Sequence, residues 1–187
     1  MNDETLDIPD VPRIVLYGNN ILREECVLVK ENENIDGILA EMMATMYSLG
    51  GIGLAAPQIG ELKSIIIWDN DWVKSKKKYE NINVMVNPKI IEESKEEIPM
   101  LEACLSLPGL EGVVYRPRKI LVEYETANRD KKREEFLDVD TRVILHEIDH
   151  LSGKLFIDRL SPRDRSEIVN QLVMLRQVQK KKQALSV

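Results

Sequence analysis

The stretch His146-Glu147-Ile148-Asp149-His150 decides how this chain reads. It has the form H-E-x-x-H and contains both of the protein's two histidines. Two histidines four apart on a helix stand about 40° apart around its axis and roughly 6 Å apart along it. Both imidazoles can then reach one metal ion from one face. Glu147, about 100° round the helix from His146, can touch a water at that metal without being a ligand. Val143, Ile144, Ile148 and Leu151 are apolar, so a helix from about Asp140 to Leu151 is expected to be buried, with Gly153 ending it. Buried histidines need polar partners. The pattern predicts the metal centre of a hydrolase.

Such a centre takes three protein ligands and keeps one position open. No third histidine exists. Asp158, Asp164 and Glu167 lie downstream, and Cys104 lies upstream as a softer ligand. Cys104 stands in Glu102-Ala103-Cys104-Leu105-Ser106-Leu107-Pro108-Gly109, which ends in turn residues. Cys26, between charged residues and Val27, reads as a small inert apolar side chain. Two cysteines make no disulfide framework, which fits a reducing, cytoplasmic setting.

Further from the histidines, apolar residues recur at Ile35, Ile38, Leu39, Met42, Met43, Met46 and Leu49. That spacing predicts a helix, with Asn34 as its N-cap and Gly50 as its stop. Ile65–Trp68 reads as a buried strand, and Val84–Val86 as another, closed by Asn87-Pro88. Val113–Tyr115 and Ile120–Tyr124 read as strands, and Glu134–Leu137 as a hairpin partner. Lys74–Glu80 and the acidic run 92–97 read as exposed. Ser161-Pro162 opens a last helix with N-cap and N1 chemistry. The fold expected is α+β: one compact domain over 1–187, with mostly antiparallel strands around a central H-E-x-x-H helix, plus an N-terminal and a C-terminal helix. Residues 1–13, with Pro9 and Pro12, are expected to form an extended lead-in, and 161–187 the C-terminal helix.

A net charge of −6 argues against nucleic acid as the main target. No apolar run approaches the ~18 residues of a membrane helix. The C-terminal stretch departs from the acidic average: from Ser161 onward six basic residues face two acidic ones.

Three ordered segments resemble those of the peptide deformylase family. Gly51-Ile52-Gly53-Leu54-Ala55-Ala56-Pro57-Gln58 is similar to the family's glycine-rich motif. Glu102–Ser106 is similar to its E-G-C-L-S, and Leu145–Gly153 to its Q-H-E-x-D-H-L-x-G. Leu16–Arg23, Asn87-Pro88 and Gly153–Asp158 match as well, so the resemblance covers most of the chain. Two positions depart from the pattern. Ala103 stands in place of glycine and adds a methyl where peptide backbone passes. Leu145 stands in place of glutamine and is expected to remove a hydrogen bond beside the metal.

The resemblance implies that Cys104, His146 and His150 bind a divalent metal, ferrous iron in the family; the ligand types suit zinc equally. It implies Glu147 as acid and base, with the Gln58 amide and the Leu105 N–H as oxyanion donors. Ile52, Val139 and Val143 would line a pocket for a methionine side chain, with Gly53 leaving room for peptide backbone. The substrate implied is the N-formylmethionyl end of a nascent chain, with formate as a product. The basic C-terminal helix would touch the ribosome; the simpler account of its charge is helix-dipole compensation and solubility. Two other readings stay open: a metallopeptidase cutting within peptides, and a deformylase-like protein that binds peptide or ribosome with weak or no activity.

Overall fold

The computed structural model describes residues 13–69 and 82–185, with side chains as far as Lys180. The lead-in over 1–12 and the Lys74–Glu80 segment lie outside the described residues. Along the chain run helix α1 (Asp36–Ser48), strands β1 (Gly53–Ala55), β2 (Ile65–Trp68), β3 (Asn83–Glu93), β4 (Glu97–Ala103), β5 (Glu111–Pro117), β6 (Lys119–Glu125) and β7 (Lys131–Leu137), then helices α2 (Asp138–Leu151), α3 (Pro162–Glu167) and α4 (Val169–Leu185). Five strands form an antiparallel sheet in the order β1-β2-β3-β6-β7, and β4 and β5 pair as a separate antiparallel ribbon.

The run Ile65-Ile66-Ile67-Trp68 has no polar alternation because the sheet is covered on both faces. Ile65 and Ile67 pack with Leu39, Met42 and Met46 of α1. Ile66 and Trp68 pack with Ile144, Leu145 and Leu151 of α2. A strand buried on both faces reads as a continuous apolar run. The H-E-x-x-H helix is thus clamped against the sheet by one face and turns its histidines away from it. A third cluster joins Tyr17, Leu22, Leu107, Val114, Phe156 and Leu172, tying the N-terminal segment, the ribbon and α4 together behind Cys104.

Three boundaries differ from the expected ones. β3 runs through Asn87-Pro88 to Glu93, where the sequence suggested a stop. Asn87 adopts φ 54° and the register shifts between Val86 and Lys89, a bulge that accommodates proline's missing N–H. The Asn87 side chain replaces the lost ladder bonds, accepting from the Val29 N–H at 2.9 Å and donating to the Val29 carbonyl at 3.0 Å. The acidic run 92–97 spans the turn from β3 into β4, a strand that its mixed Pro, Met and Glu content concealed. The last helix is broken at Ile168 into α3 and α4. Asn34 does help start α1, through a 2.8 Å bond to the Asp36 N–H, although Ile35 occupies the cap position.

Candidate active site

Cys104 follows directly on β4, where the strand ladder gives way to a turn closed by Leu107 N–H to the Cys104 carbonyl at 2.9 Å. His146 and His150 face it from α2. The three ligand atoms lie within 4.8 Å of one another, all in buried residues. Cys104 Sγ is 3.3 Å from His150 Nε2. Metal–sulfur and metal–nitrogen bonds of about 2.3 and 2.0 Å would span such a triangle. Among the described residues this is the one His/Cys/Asp/Glu group with that convergence.

The protonation chemistry fits a cation. His146 Nδ1 lies 2.8 Å from a Glu102 carboxylate oxygen, which takes its N–H and leaves Nε2 free to face Cys104 and His150. Burial drives the His150 imidazole well below its usual range, which favours the neutral form that can bind a metal. Burial pushes His146 the same way, but its bonds to Cys104 and Glu102 outweigh it and raise it well above the ordinary value. The negative groups that favour a proton there favour a metal cation in its place.

Glu147 lies next to the ligands and is buried. One of its oxygens has no hydrogen-bond partner. Burial, the largest cause, lifts its carboxyl to about 7. Gly53 makes this position possible: a Cβ there would come within 2.7 Å of a Glu147 oxygen and 2.8 Å of a Val143 methyl. Gln58 lies in the 3-10 turn Ala56–Ile59 that follows β1. Its oxygen accepts from the Ala55 N–H at 2.8 Å, which orients the amide. The NH2 end therefore points at the centre, 3.2 Å from Ser106 Oγ and 3.5 Å from Cys104 Sγ.

An open cavity of about 610 Å³ leads to these groups. Ile52, Gly53, Gln58, Cys104, Leu105, Val143, His146 and Glu147 all line it. His150 lies behind it, and Val139 is not among the lining residues; it is 53% exposed one turn before Val143. Asp164 and Glu167, the downstream carboxylates, fall on α3 and do not join the ligand triangle, nor does Asp158, which pairs with Arg23 and Arg165.

The residues behind the centre were not legible in the sequence. Glu102 is bound by Arg116 through two bonds, at 2.6 and 2.9 Å, and by Arg142 at 2.7 Å. Arg116 is almost fully buried and also reaches Asp149 at 2.6 Å and the Leu145 carbonyl at 3.3 Å. Asp149 is closed off from the other side by Arg159 at 2.6 Å. Burial works against the Glu102 charge, but the bonds to Arg116 and His146 hold it well below the usual carboxylate range. The signal was a Glu on β4 that shares the buried face of the ribbon with Val114 and Arg116 of β5, visible only once β4 and its register are known; Glu102 itself pairs with Gly112, and Arg116 with Ile98.

The two departures from the family pattern resolve differently. Leu145 packs with Ile120, Val122 and Phe136 in the apolar layer between α2 and the sheet. Glu102, not residue 145, supplies the bond that orients His146. Ala103 ends β4 opposite Glu111, is exposed and lines the cavity.

The chain resembles known proteins along nearly its whole length. Residues 11–166 match the family model for polypeptide deformylase. A peptide deformylase from Chlorobium limicola is 38% identical over 162 residues, covering 85% of each chain. A solved peptide deformylase from Plasmodium falciparum superposes with a TM-score of 0.85 at 36% identity, covering 90% of this chain and 97% of that one. One from Synechococcus elongatus, solved in complex with actinonin, gives 0.80 at 32% identity, covering 89% and 91%. With a matching fold and a Cys-His-His centre beside a buried glutamate, the chain belongs to the peptide deformylase family of metal-dependent hydrolases.

Proposed function

We propose that Cys104, His146 and His150 hold the metal and that Glu147, Gln58 and Leu105 carry out the family's reaction, removal of the formyl group from N-formylmethionine at the start of nascent proteins. The observation that carries this reading is the convergence of three ligand atoms within 4.8 Å beside a buried Glu147 oxygen that has no partner. A divalent cation held by these three residues would supply Lewis acidity to the reaction. The free oxygen of Glu147 takes a proton from the attacking water and delivers it to the departing amine, so that formate and a free N-terminus leave. The Gln58 NH2 group and the Leu105 N–H donate to the oxyanion of the tetrahedral intermediate, each worth about 3–4 kcal/mol. Ile52 and Val143 wall the methionine pocket. Val139, on the same face of α2, extends that wall outward, and Gly53 lets the substrate backbone approach.

The metal is ferrous iron in this reading, with zinc as the alternative the same donors accept. Formate release from formyl-Met-Ala-Ser by anaerobically purified protein tests the function, with metal analysis on the same sample. Formate that disappears on chelation and returns with Fe²⁺ is the expected result; internal cleavage of the peptide would instead reveal a metallopeptidase. The family match lends no support to a purely binding role. The workplace proposed is the cytoplasm, beside the ribosome. Among the described residues no helix is long and apolar enough to cross a membrane. The basic end of α4 is the part offered to the ribosome. Deleting residues 180–187 should weaken ribosome co-sedimentation in a salt-dependent way, and this cut spares Arg176, which stacks on Tyr17 and donates to its hydroxyl at 2.9 Å.

A further inference from the structure

The two oxyanion donors of the proposed reaction come from separate parts of the chain. The Gln58 amide sits in the 3-10 turn after β1, and the Leu105 N–H in the turn after β4. Such donors work because they are held in place before the charge develops, and a misplacement of about 1 Å can cost about 10²-fold. Something must therefore fix one turn against the other.

Ser106, next in the chain after Leu105, meets that need. It is fully buried, and its hydroxyl accepts from the Gln58 NH2 group at 3.2 Å, across 48 residues of sequence. Among the described residues that is the only hydrogen bond the hydroxyl makes. Cys104 and Leu107, on either side of this stretch, belong to the apolar cluster behind the centre. Alanine would fill such a place with no polar group to satisfy, so the hydroxyl has one partner to serve.

The Gln58 oxygen is already held by the Ala55 N–H at 2.8 Å. One bond leaves the amide free to swing about it. A second bond, at the nitrogen, fixes the amide plane and leaves the other N–H for the centre, where Cys104 Sγ lies 3.5 Å from that nitrogen. The backbone repeats the link. The Val15 N–H donates to the Gln58 carbonyl at 2.7 Å and the Tyr17 N–H to the Ser106 carbonyl at 2.8 Å, so one short segment spans both turns.

We propose that Ser106 is a positioning residue for the reaction: its hydroxyl orients the Gln58 amide and ties it to the turn that carries the Leu105 N–H. The inference rests on the deformylase reading of the site. It adds a residue that is not among those lining the cavity and that acts only through Gln58.

Four metal-loaded proteins test it with formyl-Met-Ala-Ser: the wild type, Ser106→Ala, Gln58→Ala and the double variant. Ser106→Ala should lower kcat about 10- to 30-fold while KM and metal content stay at wild-type levels, as expected for a group whose effect is felt in the transition state. In the Gln58→Ala background the same change should cost less than about twofold, because the group it orients is gone. An unchanged kcat in Ser106→Ala overturns the proposal. So does an equal loss in both backgrounds, or a fall in metal content, since either would show that Ser106 merely supports the Cys104 turn. In those cases formate release by the wild type leaves the active-site reading standing. Absence of formate from the wild type, or full activity in Gln58→Ala, overturns that reading and the role of Ser106 with it.

Discussion

Two buried glutamates flank His146, and their surroundings give them opposite capacities. Glu102 has every oxygen occupied, by Arg116, Arg142 and His146, and is held as a carboxylate. Glu147, equally buried, has an oxygen without a partner and a carboxyl lifted to about 7. One is a fixed charge that aims the His146 ring. The other is poised to exchange a proton. The same side chain at the same burial takes different work because only one of them has been given cations to face.

Removing Glu147, the proposed proton carrier, should have the largest effect. Glu147→Gln keeps the shape of the site, so metal content should stay at the wild-type level while kcat falls about 10²- to 10⁴-fold. A variant with full metal and undiminished formate release would erase the distinction between the two glutamates. Gln58→Ala removes the oriented donor and should cost about 10²- to 10³-fold in kcat. If KM alone moved, the amide would be binding substrate and not the oxyanion.

The fixed charge is tested from its other side by Arg116→Ala. With Arg116 gone, Glu102 and Asp149 each lose a buried cation, and the unfolding free energy should drop by about 3 kcal/mol or more. Chemical denaturation of the metal-free protein measures this. Arg159 touches the same Asp149 but its side chain is 40% exposed, so Arg159→Ala should cost no more than about 1 kcal/mol. Similar losses from both would mean that burial does not set the strength of this network. Between these lies Glu102→Gln, which should weaken metal retention about 10- to 100-fold through the loosened His146 ring. Chelator competition reads that directly, and unchanged retention would reduce Glu102 to a structural role.

Legibility differed sharply between the two sides of His146. Every group on the reactive side belongs to a local motif. His146, Glu147 and His150 share two turns of one helix, and Cys104 and Gln58 sit in short segments similar to the family's. The supporting side is assembled from β4, β5 and α2, with the Glu102–Arg116 contact crossing 14 residues and the Arg116–Asp149 contact 33. Nothing local marks such pairs. Leu145 shows the converse error. Beside a ligand in sequence, it seemed to matter to the metal, yet the helical turn of about 100° per residue carries it into the apolar layer against Ile120 and Phe136.

By itself the sequence determined the chemistry available and the main elements: a Cys-His-His donor set, a glutamate beside it, a helical stripe over Ile35–Leu49, and strands at Ile65–Trp68 and Ile120–Tyr124. The donor set follows from the resemblance of short segments to the family's motifs and the elements from short-range periodicity, both of which the chain carries locally. Tertiary structure alone decided that β3 continues through Asn87-Pro88 and that Arg116 is buried against Glu102. Each depends on which strand lies beside which, in what register, and so on contacts between residues far apart in the chain.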